Sequence, residues 1–460
     1  MKIKSPFFLF EESEHFFVFD GGDANLLEIP ELYFDCLKYL KLYDLYDDTD
    51  RDEVISLLNK KYRKDKIISA LDDLKKSHEK GFLTKCGSIY QIYDAKTSEN
   101  KHHNGLWLNI SHDCNLRCEY CFGNGGDYGK KRMLMDTLTA KKCIDKWYEQ
   151  VDLESPLIEV NFFGGEPLMN PDVMIYCVNY INKLFENNPR QIRYNVTTNG
   201  TIVNEPILKL LKENNFKISI SIDGIEKIHN LKRKYASGKG SYSDIKENIK
   251  EYKKCCPKLA AQITLVKEGI PYLSDAVQNL WEMGINMVYS NLVFSEDEEY
   301  TYEHYRIYHN EIRKLSTMTY QNLVDNKPYT YQNLVNDMFA IKTKRFSTNC
   351  FFWGGGAMIF SPEGERYRCY RFMENEEYKL QDEIGPLSEK KPRVEKCSNC
   401  WAQLLCADGC VYENSVYSDN ITNPAEEWCV KIKISLEEAL KLYARLFINR
   451  PDILNKMGGK

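Results

Sequence analysis

The amino-acid sequence predicts an α/β protein whose central parallel sheet, open or curled into a partial barrel, lies between two smaller units. Six segments with strand character alternate with amphipathic helical patterns, which is the order expected of repeated β/α units, here a (β/α)6 series. The strand segments are 106–111, 157–163, 192–198, 216–222, 260–266 and 285–293. Because parallel strands of this kind carry their active site at the carboxyl ends, functional residues are expected directly after these segments. We assign residues 104–295 to this central domain.

A separate small α+β module is predicted over residues 1–95. Strand-like segments flank a glycine-rich turn, three helix-like patterns follow, and a last strand precedes a polar linker. In order, these elements are strands 15–20 and 25–30, helices that begin near Glu31, Asp52 and Lys66, strand 82–93 and linker 94–105.

Two smaller regions and a terminal helix follow the central domain. Residues 296–349 are helical in pattern and rich in tyrosine, and residues 350–432 are rich in loops and cysteine. The last region, 433–460, contains an amphipathic helix at 435–447.

Composition and charge exclude several classes of protein. The net charge is −5, and the absence of a basic stripe argues against nucleic acid as the main partner. Glu11 and Glu12 interrupt the short apolar run near the N-terminus before the core of a signal peptide is complete. No segment supplies the roughly 18 uninterrupted apolar residues of a membrane helix. We therefore expect a cytoplasmic protein without a membrane span.

The sequence contains 16 cysteines, and in a reducing compartment these indicate metal binding or thiol chemistry rather than disulfides. Ten of them fall into two patterned groups, one near residue 120 and one after residue 349. The remaining six are expected to be small buried residues. They are Cys36, Cys86, Cys143, Cys177, Cys255 and Cys256.

The first group is Cys114, Cys118 and Cys121, in the spacing CxxxCxxC. Three thiolates on one short loop need a fourth ligand to complete a tetrahedral zinc site, but they are able to hold three irons of a cubane cluster and leave the fourth open. His112 is close enough in sequence to be considered as a zinc ligand, although a flanking polar residue is the commoner interpretation.

This stretch follows the first strand and resembles the radical S-adenosylmethionine (SAM) motif CxxxCxΦC, with Tyr120 as the aromatic residue. After the second strand, "GGEPL" (164–168) resembles the family motif that binds the SAM amino group. After the third, "TTNGT" (197–201) resembles the ribose-contacting region. "SIDG" (221–224) follows the fourth strand, and Ser221 and Arg233 match residues that bind the SAM carboxylate in relatives. The resemblance implies SAM contacts at Tyr120, Phe122, Gly164, Gly165, Glu166, Pro167, Thr198, Asn199, Ser221, Asp223 and Arg233.

The resemblance also implies a radical mechanism. The open iron would chelate the amino and carboxylate groups of SAM, and an electron from the reduced cluster would cleave SAM to methionine and a 5′-deoxyadenosyl radical. That radical would take a hydrogen atom from the substrate, and a donor such as ferredoxin or flavodoxin would supply the electron. We assign no residue as a general acid or base.

The second group follows the pattern CxnGx4C…CxxCx5CxxxC…C, which resembles the SPASM domain of radical SAM enzymes that modify peptides and proteins. Relatives bind two auxiliary [4Fe-4S] clusters there, so the resemblance implies three clusters in all. Some relatives have an eighth cysteine at the position of Gly356, so an inner cluster here would keep an open iron for a substrate thiolate. A structural zinc ribbon is the alternative. The implied outer ligands are Cys397, Cys400, Cys406 and Cys429, and the implied inner ligands are Cys350, Cys369 and Cys410.

The module at 1–95 resembles the recognition element, of winged-helix type, that binds the leader of ribosomally made, post-translationally modified peptides. An exposed edge at 25–29 would add a peptide strand, and the third helix (66–79) would line the groove. A small domain that serves only to pack on the barrel is the alternative.

The combination resembles peptide maturases that join a cysteine sulfur to a carbon, forming thioether crosslinks in a short precursor peptide. Three alternatives remain open. They are an anaerobic sulfatase-type maturase that forms formylglycine, a maturase that forms carbon–carbon crosslinks, and a non-catalytic iron–sulfur or zinc scaffold that binds peptides.

Overall fold

A three-stranded antiparallel sheet begins the computed structural model, which describes residues 6–83, 103–295, 298–344, 346, 350–353, 356–380, 392, 394–406, 408–418 and 420–457. The middle strand of this sheet is β2. Three helices follow it and enclose a core that includes Val18, Leu37, Ile67 and Leu71. These elements are β1 (Phe7–Glu12), β2 (His15–Asp20), β3 (Asn25–Ile29), α1 (Glu31–Tyr39), α2 (Asp48–Leu58) and α3 (Lys64–Glu79).

The N-terminal module differs from the prediction in its boundaries. Strand β1 was not anticipated, and α2 begins four residues before the predicted start, because the Asp47 side chain accepts a hydrogen bond from the Asp50 amide and caps the helix there. The predicted strand at 82–93 and the linker at 94–105 lie mostly outside the described residues.

The second sheet has ten strands, of which the first six in sequence are mutually parallel and adjacent in sequence order. This arrangement confirms the predicted parallel α/β sheet, and each strand lies within two residues of its predicted bounds. The six strands are β4 (Gly105–Ser111), β5 (Leu157–Gly164), β6 (Gln191–Thr198), β7 (Lys217–Ser221), β8 (Ala260–Leu265) and β9 (Met287–Leu292).

Helices and short 3₁₀ turns connect and follow these strands. The helices are α4 (Thr137–Tyr148), α5 (Pro171–Leu184), α6 (Glu205–Glu213), α7 (Glu226–Lys232), α8 (Tyr242–Cys255), α9 (Leu273–Glu282), α10 (Tyr302–Val324), α11 (Gln332–Thr343), α12 (Glu395–Ser398), α13 (Gln403–Cys406), α14 (Val411–Tyr417), α15 (Glu426–Asn449) and α16 (Pro451–Lys456). The 3₁₀ turns are Asn124–Gly126, Pro167–Met169, Lys267–Tyr272, Phe351–Trp353, Tyr370–Phe372 and Glu376–Tyr378.

Four short strands extend the sheet at both ends: β10 (Thr330–Tyr331), β11 (Ala357–Phe360), β12 (Arg366–Tyr367) and β13 (Lys379–Leu380). Strand β10 pairs with β9, and β11 pairs in parallel with β4, so the cysteine-rich region continues the same sheet. Gly105 lies opposite Ala357, and a Cβ at position 105 would stand only 2.7 Å from that of Ala357. The close pairing therefore requires glycine at this position.

The final long helix, α15, is longer than the predicted segment 435–447. It begins at Glu426 and runs across residue 433, where the sequence suggested a boundary. Acidic residues at Glu426 and Glu427 favour a helix start there because they complement the positive end of the helix dipole. Cys429 therefore lies in the first turn of a helix rather than in a loop.

The N-terminal module contacts the cysteine-rich region through Trp401, the residue after Cys400. The ring of Phe8 stacks on Trp401 at a centroid distance of 4.5 Å, and Phe19 meets it edge-on at 6.1 Å. A Cβ at Gly21 would lie 2.5 Å from the Trp401 backbone. The module and the segment that contains Cys400 are therefore in direct contact.

Three of the six cysteines outside the patterned groups are buried as expected, namely Cys36, Cys143 and Cys177. Cys255 and Cys256, at the end of α8, are only partly buried, and Cys86 lies outside the described residues. Among the helices of the described residues, none combines the length and the hydropathy that a membrane crossing requires.

Candidate active site

The loops that follow β4 to β7 converge on a cavity of about 320 Å³ at the carboxyl ends of the strands. Eight of the expected SAM contacts line this cavity, together with all three cysteines of the first group. They are Tyr120, Phe122, Gly164, Gly165, Thr198, Asn199, Ser221 and Arg233. The other three expected contacts, Glu166, Pro167 and Asp223, are buried behind the cavity wall.

The cysteine loop lies against the strand end of β5, where two glycines permit a very close backbone approach. A Cβ at Gly165 would lie 2.2 Å from the carbonyl oxygen of Asp113, and a Cβ at Gly164 would lie 2.3 Å from that of Ser111. In place of a side chain, the amides of Gly165 and Glu166 donate to these two carbonyl groups at 2.8 Å. The "GG" of the motif is thus required to hold the cysteine loop against the sheet.

The three thiols of this loop are free and partly buried. Burial, with the nearby Glu166 carboxylate, raises the pKa of Cys114 to about 12, and burial raises that of Cys118 to about 11. Hydrogen-bond donors lie near two of the sulfurs: the Asn199 amide is 3.6 Å from the sulfur of Cys114, and an Arg233 nitrogen is 3.8 Å from that of Cys118. Buried thiols with such partners fit a metal centre, because a cation would release their protons and the donors would tune the sulfurs.

Glu166 ties three loops together from behind the cavity. One of its oxygens accepts from the Thr198 hydroxyl at 2.8 Å and from the Leu168 amide at 3.0 Å, and the other accepts from the Asn199 amide at 2.6 Å. Burial raises its pKa to about 7, although these donors favour the charged form. Within the protein, Glu166 therefore supports the loop 197–201, the segment expected to contact ribose, instead of lining the cavity.

Arg233 is held by a second buried network. Its Nε lies 3.3 Å from a carboxylate oxygen of Asp223, which also accepts a short hydrogen bond from Tyr120. The Asp223 amide donates to Nδ1 of His229 at 3.1 Å, and Nε2 of His229 lies 2.9 Å from the Ser241 hydroxyl. Because Nδ1 is the acceptor, Nε2 carries the proton and donates to Ser241.

The chain of contacts closes on the backbone of Arg233, whose carbonyl accepts from Ser241 at 3.1 Å. Burial lowers the pKa of His229 to about 3, so the ring is neutral and keeps this single tautomer. Neither His229 nor Ser241 was expected to be a site residue. The only signal for His229, on α7, was its i, i+4 spacing from Arg233, which directly follows this helix.

An aromatic wall with one cation encloses the other part of the cavity. Trp107 stacks on Tyr370 at 4.6 Å, and the Arg371 guanidinium lies 5.4 Å from the ring centroid of Phe122 and 5.2 Å from that of Tyr412. Of these residues, only Phe122 was anticipated. Tyr370 and Arg371 directly follow Cys369, and Tyr412 lies two residues after Cys410, so the cysteine pattern was the only signal for them.

Several of the seven downstream cysteines lie near other thiols of the same group. Burial raises the pKa of Cys369 to about 12, and the nearby thiols of Cys410 and Cys350 add to this effect. Burial likewise raises the pKa of Cys397, with contributions from Asp408, Cys406 and Cys429, and Cys400 contributes to that of Cys429.

Two neighbourhoods of thiols result, one of Cys350, Cys369 and Cys410 and the other of Cys397, Cys400, Cys406 and Cys429. The Trp428 indole donates to the sulfur of Cys406 at 3.1 Å, which is the kind of contact that tunes an iron–sulfur ligand. Gly356, at the position of the eighth cysteine of some relatives, faces open space, since a Cβ there would meet no atom within 4 Å. His112 is buried beside Tyr128, at a ring distance of 4.7 Å.

In comparison with known proteins, residues 108–278 match the radical SAM superfamily. An uncharacterised protein of Methanocaldococcus jannaschii is 32% identical over 195 residues, which are 42% of this chain and 64% of the relative. A cysteine-type anaerobic sulfatase-maturating enzyme of Clostridium novyi is 35% identical over 147 residues, 30% of this chain and 37% of that enzyme. The radical SAM cyclopropyl synthase TigE of Paramaledivibacter caminithermalis is 24% identical over 302 residues, 60% of each chain. The chain thus spans less than two thirds of the length of these relatives.

Two solved structures share the fold. Native anSMEcpe with bound AdoMet superposes with a TM-score of 0.62 at 18% identity, covering 77% of this chain and 100% of that one. Streptococcus suis SuiB bound to the precursor peptide SuiA superposes with a TM-score of 0.51 at 13% identity, covering 93% of this chain and 98% of that one. A radical SAM domain implies SAM and a [4Fe-4S] cluster, and the cavity above contains the thiols that such a cluster needs.

Proposed function

We propose that this chain is a radical SAM peptide maturase that installs thioether crosslinks in a ribosomally made precursor peptide. The observation that carries the proposal is the single cavity in which Cys114, Cys118 and Cys121 lie beside Arg233 and an aromatic wall. When bound, SAM and its cluster supply hydrogen-atom abstraction from the substrate. The chain itself binds, orients and shields these groups.

Each part of the cavity has a role in this function. Cys114, Cys118 and Cys121 would hold the SAM-binding cluster, and the Arg233 fork suits the SAM carboxylate because a guanidinium binds a carboxylate with two parallel hydrogen bonds. Thr198 and Asn199, fixed from behind by Glu166, belong to the loop 197–201, which would contact the ribose. The rings of Trp107 and its neighbours exclude water from the reacting groups.

The downstream cysteines would hold two auxiliary clusters. Cys397, Cys400, Cys406 and Cys429 supply four ligands to the outer one, and three thiols remain for the inner one. With Gly356 facing open space, the inner cluster would keep one iron free for a substrate thiolate. Mössbauer or EPR spectra of the reconstituted protein without substrate should show a site-differentiated inner cluster, and a spectrum typical of four protein ligands would contradict this.

The N-terminal module would bind the leader of the precursor. Strand β3 pairs with β2 and, within the described part of the chain, with no other strand, and Leu27 on this edge is 43% exposed. Such an edge accepts a peptide strand through backbone hydrogen bonds. SuiB, which superposes over most of this chain, was solved with its precursor peptide. The module's contact with Trp401 would hold the leader close to the cysteine-rich region.

The test is coexpression with the short open reading frames that neighbour the gene, followed by mass spectrometry of each peptide. We expect the loss of two hydrogens per bridge and the loss of one alkylatable thiol per bridge. Reduced, reconstituted protein should also release 5′-deoxyadenosine from SAM, with dithionite or a ferredoxin or flavodoxin as reductant. A non-catalytic scaffold would release none.

A sulfatase-type maturase is the second candidate, because a sulfatase-maturating enzyme is 35% identical over 147 residues, 30% of this chain. Its product, formylglycine, carries an aldehyde that a hydrazine probe traps, whereas a thioether carries none. Carbon–carbon crosslinking would remove two hydrogens but leave every thiol open to alkylation. The same mass spectra therefore separate the three chemistries.

A further inference from the structure

The cavity has two charged side chains among its described lining residues, apart from the cysteines, and both are arginines. Arg233 lies beside its own carboxylate partner, Asp223. Arg371 lies on the part of the wall formed by Phe122 and Tyr412. The two arginines therefore differ in how their charge is balanced.

Arg371 shares its carboxylate partner with another cation. Its Nη1 lies 3.4 Å from Oε1 of Glu413, and the Lys431 ammonium lies 3.1 Å from Oε2 of the same group. Glu413 and Lys431 are almost fully buried, at 3% and 5% exposure, so solvent screens them little. Among these three side chains, two cations share one carboxylate, and the thiols of Cys369 and Cys410 also act on the charge of Arg371.

Of the two cations, Arg371 is the one that faces the cavity, because Lys431 is enclosed by aromatic rings. The Lys431 ammonium lies between the rings of Phe294 and Trp428, at 4.3 and 4.2 Å, and is thereby enclosed. The Arg371 guanidinium, by contrast, belongs to the cavity wall, and its side chain keeps 24% exposure. Aromatic faces around a guanidinium lower the local dielectric, which strengthens its attraction for an anion.

We propose that Arg371 binds an anionic side chain of the peptide substrate, a carboxylate or a cysteine thiolate, next to the position that reacts. This inference rests on the proposed function in taking a peptide as the substrate. The planar fork of arginine matches a carboxylate in two contacts and a thiolate in one, and a neutral side chain would offer the guanidinium no charged partner. Arg371 is thus a residue that determines specificity.

The test uses four pentapeptides with blocked ends, Gly-Gly-X-Gly-Gly, in which X is Asp, Asn, Cys or Ser. Binding to the reconstituted, SAM-loaded full chain is measured by calorimetry, without turnover. We expect Asp to bind about tenfold more tightly than Asn, as a charge-assisted hydrogen bond predicts. At pH values above the thiol pKa of about 8.5, Cys should likewise exceed Ser, and these two comparisons separate the carboxylate from the thiolate.

In the variant Arg371→Gln, the affinity ratios of the Asp to the Asn peptide and of the Cys to the Ser peptide should both fall close to one. Arg371→Lys should restore part of the preference. Arg371→Gln is expected to fold because it leaves Glu413 and Lys431 as a neutral pair. The matched control is Arg306→Gln, which removes an exposed arginine that pairs with Glu303, and it should keep both ratios.

Three results would overturn the inference: equal binding of charged and neutral peptides, no binding of any peptide at millimolar concentration, or an unchanged preference in Arg371→Gln. A changed midpoint potential of an auxiliary cluster in Arg371→Gln, with peptide preference unchanged, would assign the charge of Arg371 to that cluster instead. Release of 5′-deoxyadenosine by the wild-type protein tests the proposed function separately, because the peptide measurements need no turnover.

Discussion

At the scale of single residues, the structure shows that Arg233 is held in the cavity wall by residues that do not line the cavity themselves. His229 accepts from the Asp223 amide and donates to Ser241, and Asp223 lies beside the Arg233 guanidinium. A neutral imidazole suits this place because it offers one acceptor and one donor at fixed positions on a rigid ring. His229 is therefore a positioning residue for Arg233.

Replacing His229 tests this role. In His229→Phe the Asp223 amide and the Ser241 hydroxyl lose their buried partner, which costs about 1–3 kcal/mol each. We expect SAM to bind about tenfold more weakly by calorimetry, because Arg233 is no longer oriented. His229→Asn keeps an acceptor near the position of Nδ1 and should recover most of the affinity. Unchanged affinity in His229→Phe would contradict the role.

Local spacing explains which site residues the sequence could reveal. The three cysteines of the first group, the two glycines and Arg233 lie in motifs whose members are close in sequence. Arg371 and its partners could not be found in this way, because Glu413 lies 42 residues away and contacts Lys431 on a different helix. Glu166 belongs to a recognisable motif, but only the fold shows that it faces away from the cavity.

At the scale of secondary structure elements, the cysteine loop is able to approach β5 closely because Gly165 has no side chain. In Gly165→Ala the new Cβ would stand 2.2 Å from a backbone oxygen of Asp113, so the loop must move. We expect a loss of more than about 3 kcal/mol in stability and a sharp fall in iron content after reconstitution. Gly356→Ala is the matched control, because its Cβ meets open space. Equal iron content in both variants would refute the explanation.

A carboxyl group between α11 and α15 changes its protonation with pH and so makes the stability of the protein depend on pH. Asp337 accepts from the Ser435 hydroxyl at 2.8 Å, and burial raises its pKa to about 7. The folded state therefore binds more protons than the unfolded state between about pH 4 and pH 7, so stability falls as pH rises through that window and is level above it.

Asp337→Asn should remove this dependence. The free energy of unfolding of the variant, relative to that of the wild type, should rise by roughly 2–4 kcal/mol between about pH 5 and pH 8. Thermal unfolding of both proteins at several pH values measures the difference, and a constant difference in Tm across the range would contradict the assignment.

Among the elements, the long strands were predictable and the short ones were not. Strands β4 to β9 have five to eight residues, with apolar side chains recurring at alternate positions, so their pattern is clear. Strands β10, β12 and β13 have two residues each, too few for any period to appear. The start of α15 was missed because Lys431 and Lys433 interrupt the apolar pattern, yet Lys431 is buried by its ion pair with Glu413.

At the scale of the whole molecule, three regions meet around the cysteine-rich segment. Strand β11 joins that segment to the parallel strands β4 to β9, and Trp401 joins it to the N-terminal module. Arg445 on α15 adds an ion pair with Glu12 of β1 at 2.9 Å. No pattern within one segment predicts such contacts, because they depend on shape complementarity between distant parts of the chain.

The Trp401 contact leads to a prediction about the module. Gly21→Ala would place a Cβ 2.5 Å from the Trp401 backbone and should separate the two surfaces. We expect faster amide hydrogen exchange at residues 397–406, by about tenfold or more, since local opening then costs less. Leu42→Ser, at a site that is 73% exposed, is the control and should leave exchange there unchanged. Identical exchange in both variants would show that the contact contributes little.

The pairing of β11 with β4 has a consequence for how this chain is made. About 250 residues separate the two strands, so at about 5–20 residues per second the ribosome needs roughly 12 to 50 s to deliver the partner of β4. Throughout that interval, one edge of β4 has its backbone groups open to pairing with other chains. Translation speed between residues 111 and 357 therefore sets how long each nascent chain is exposed to aggregation, and slow codons in that stretch should lower the soluble yield.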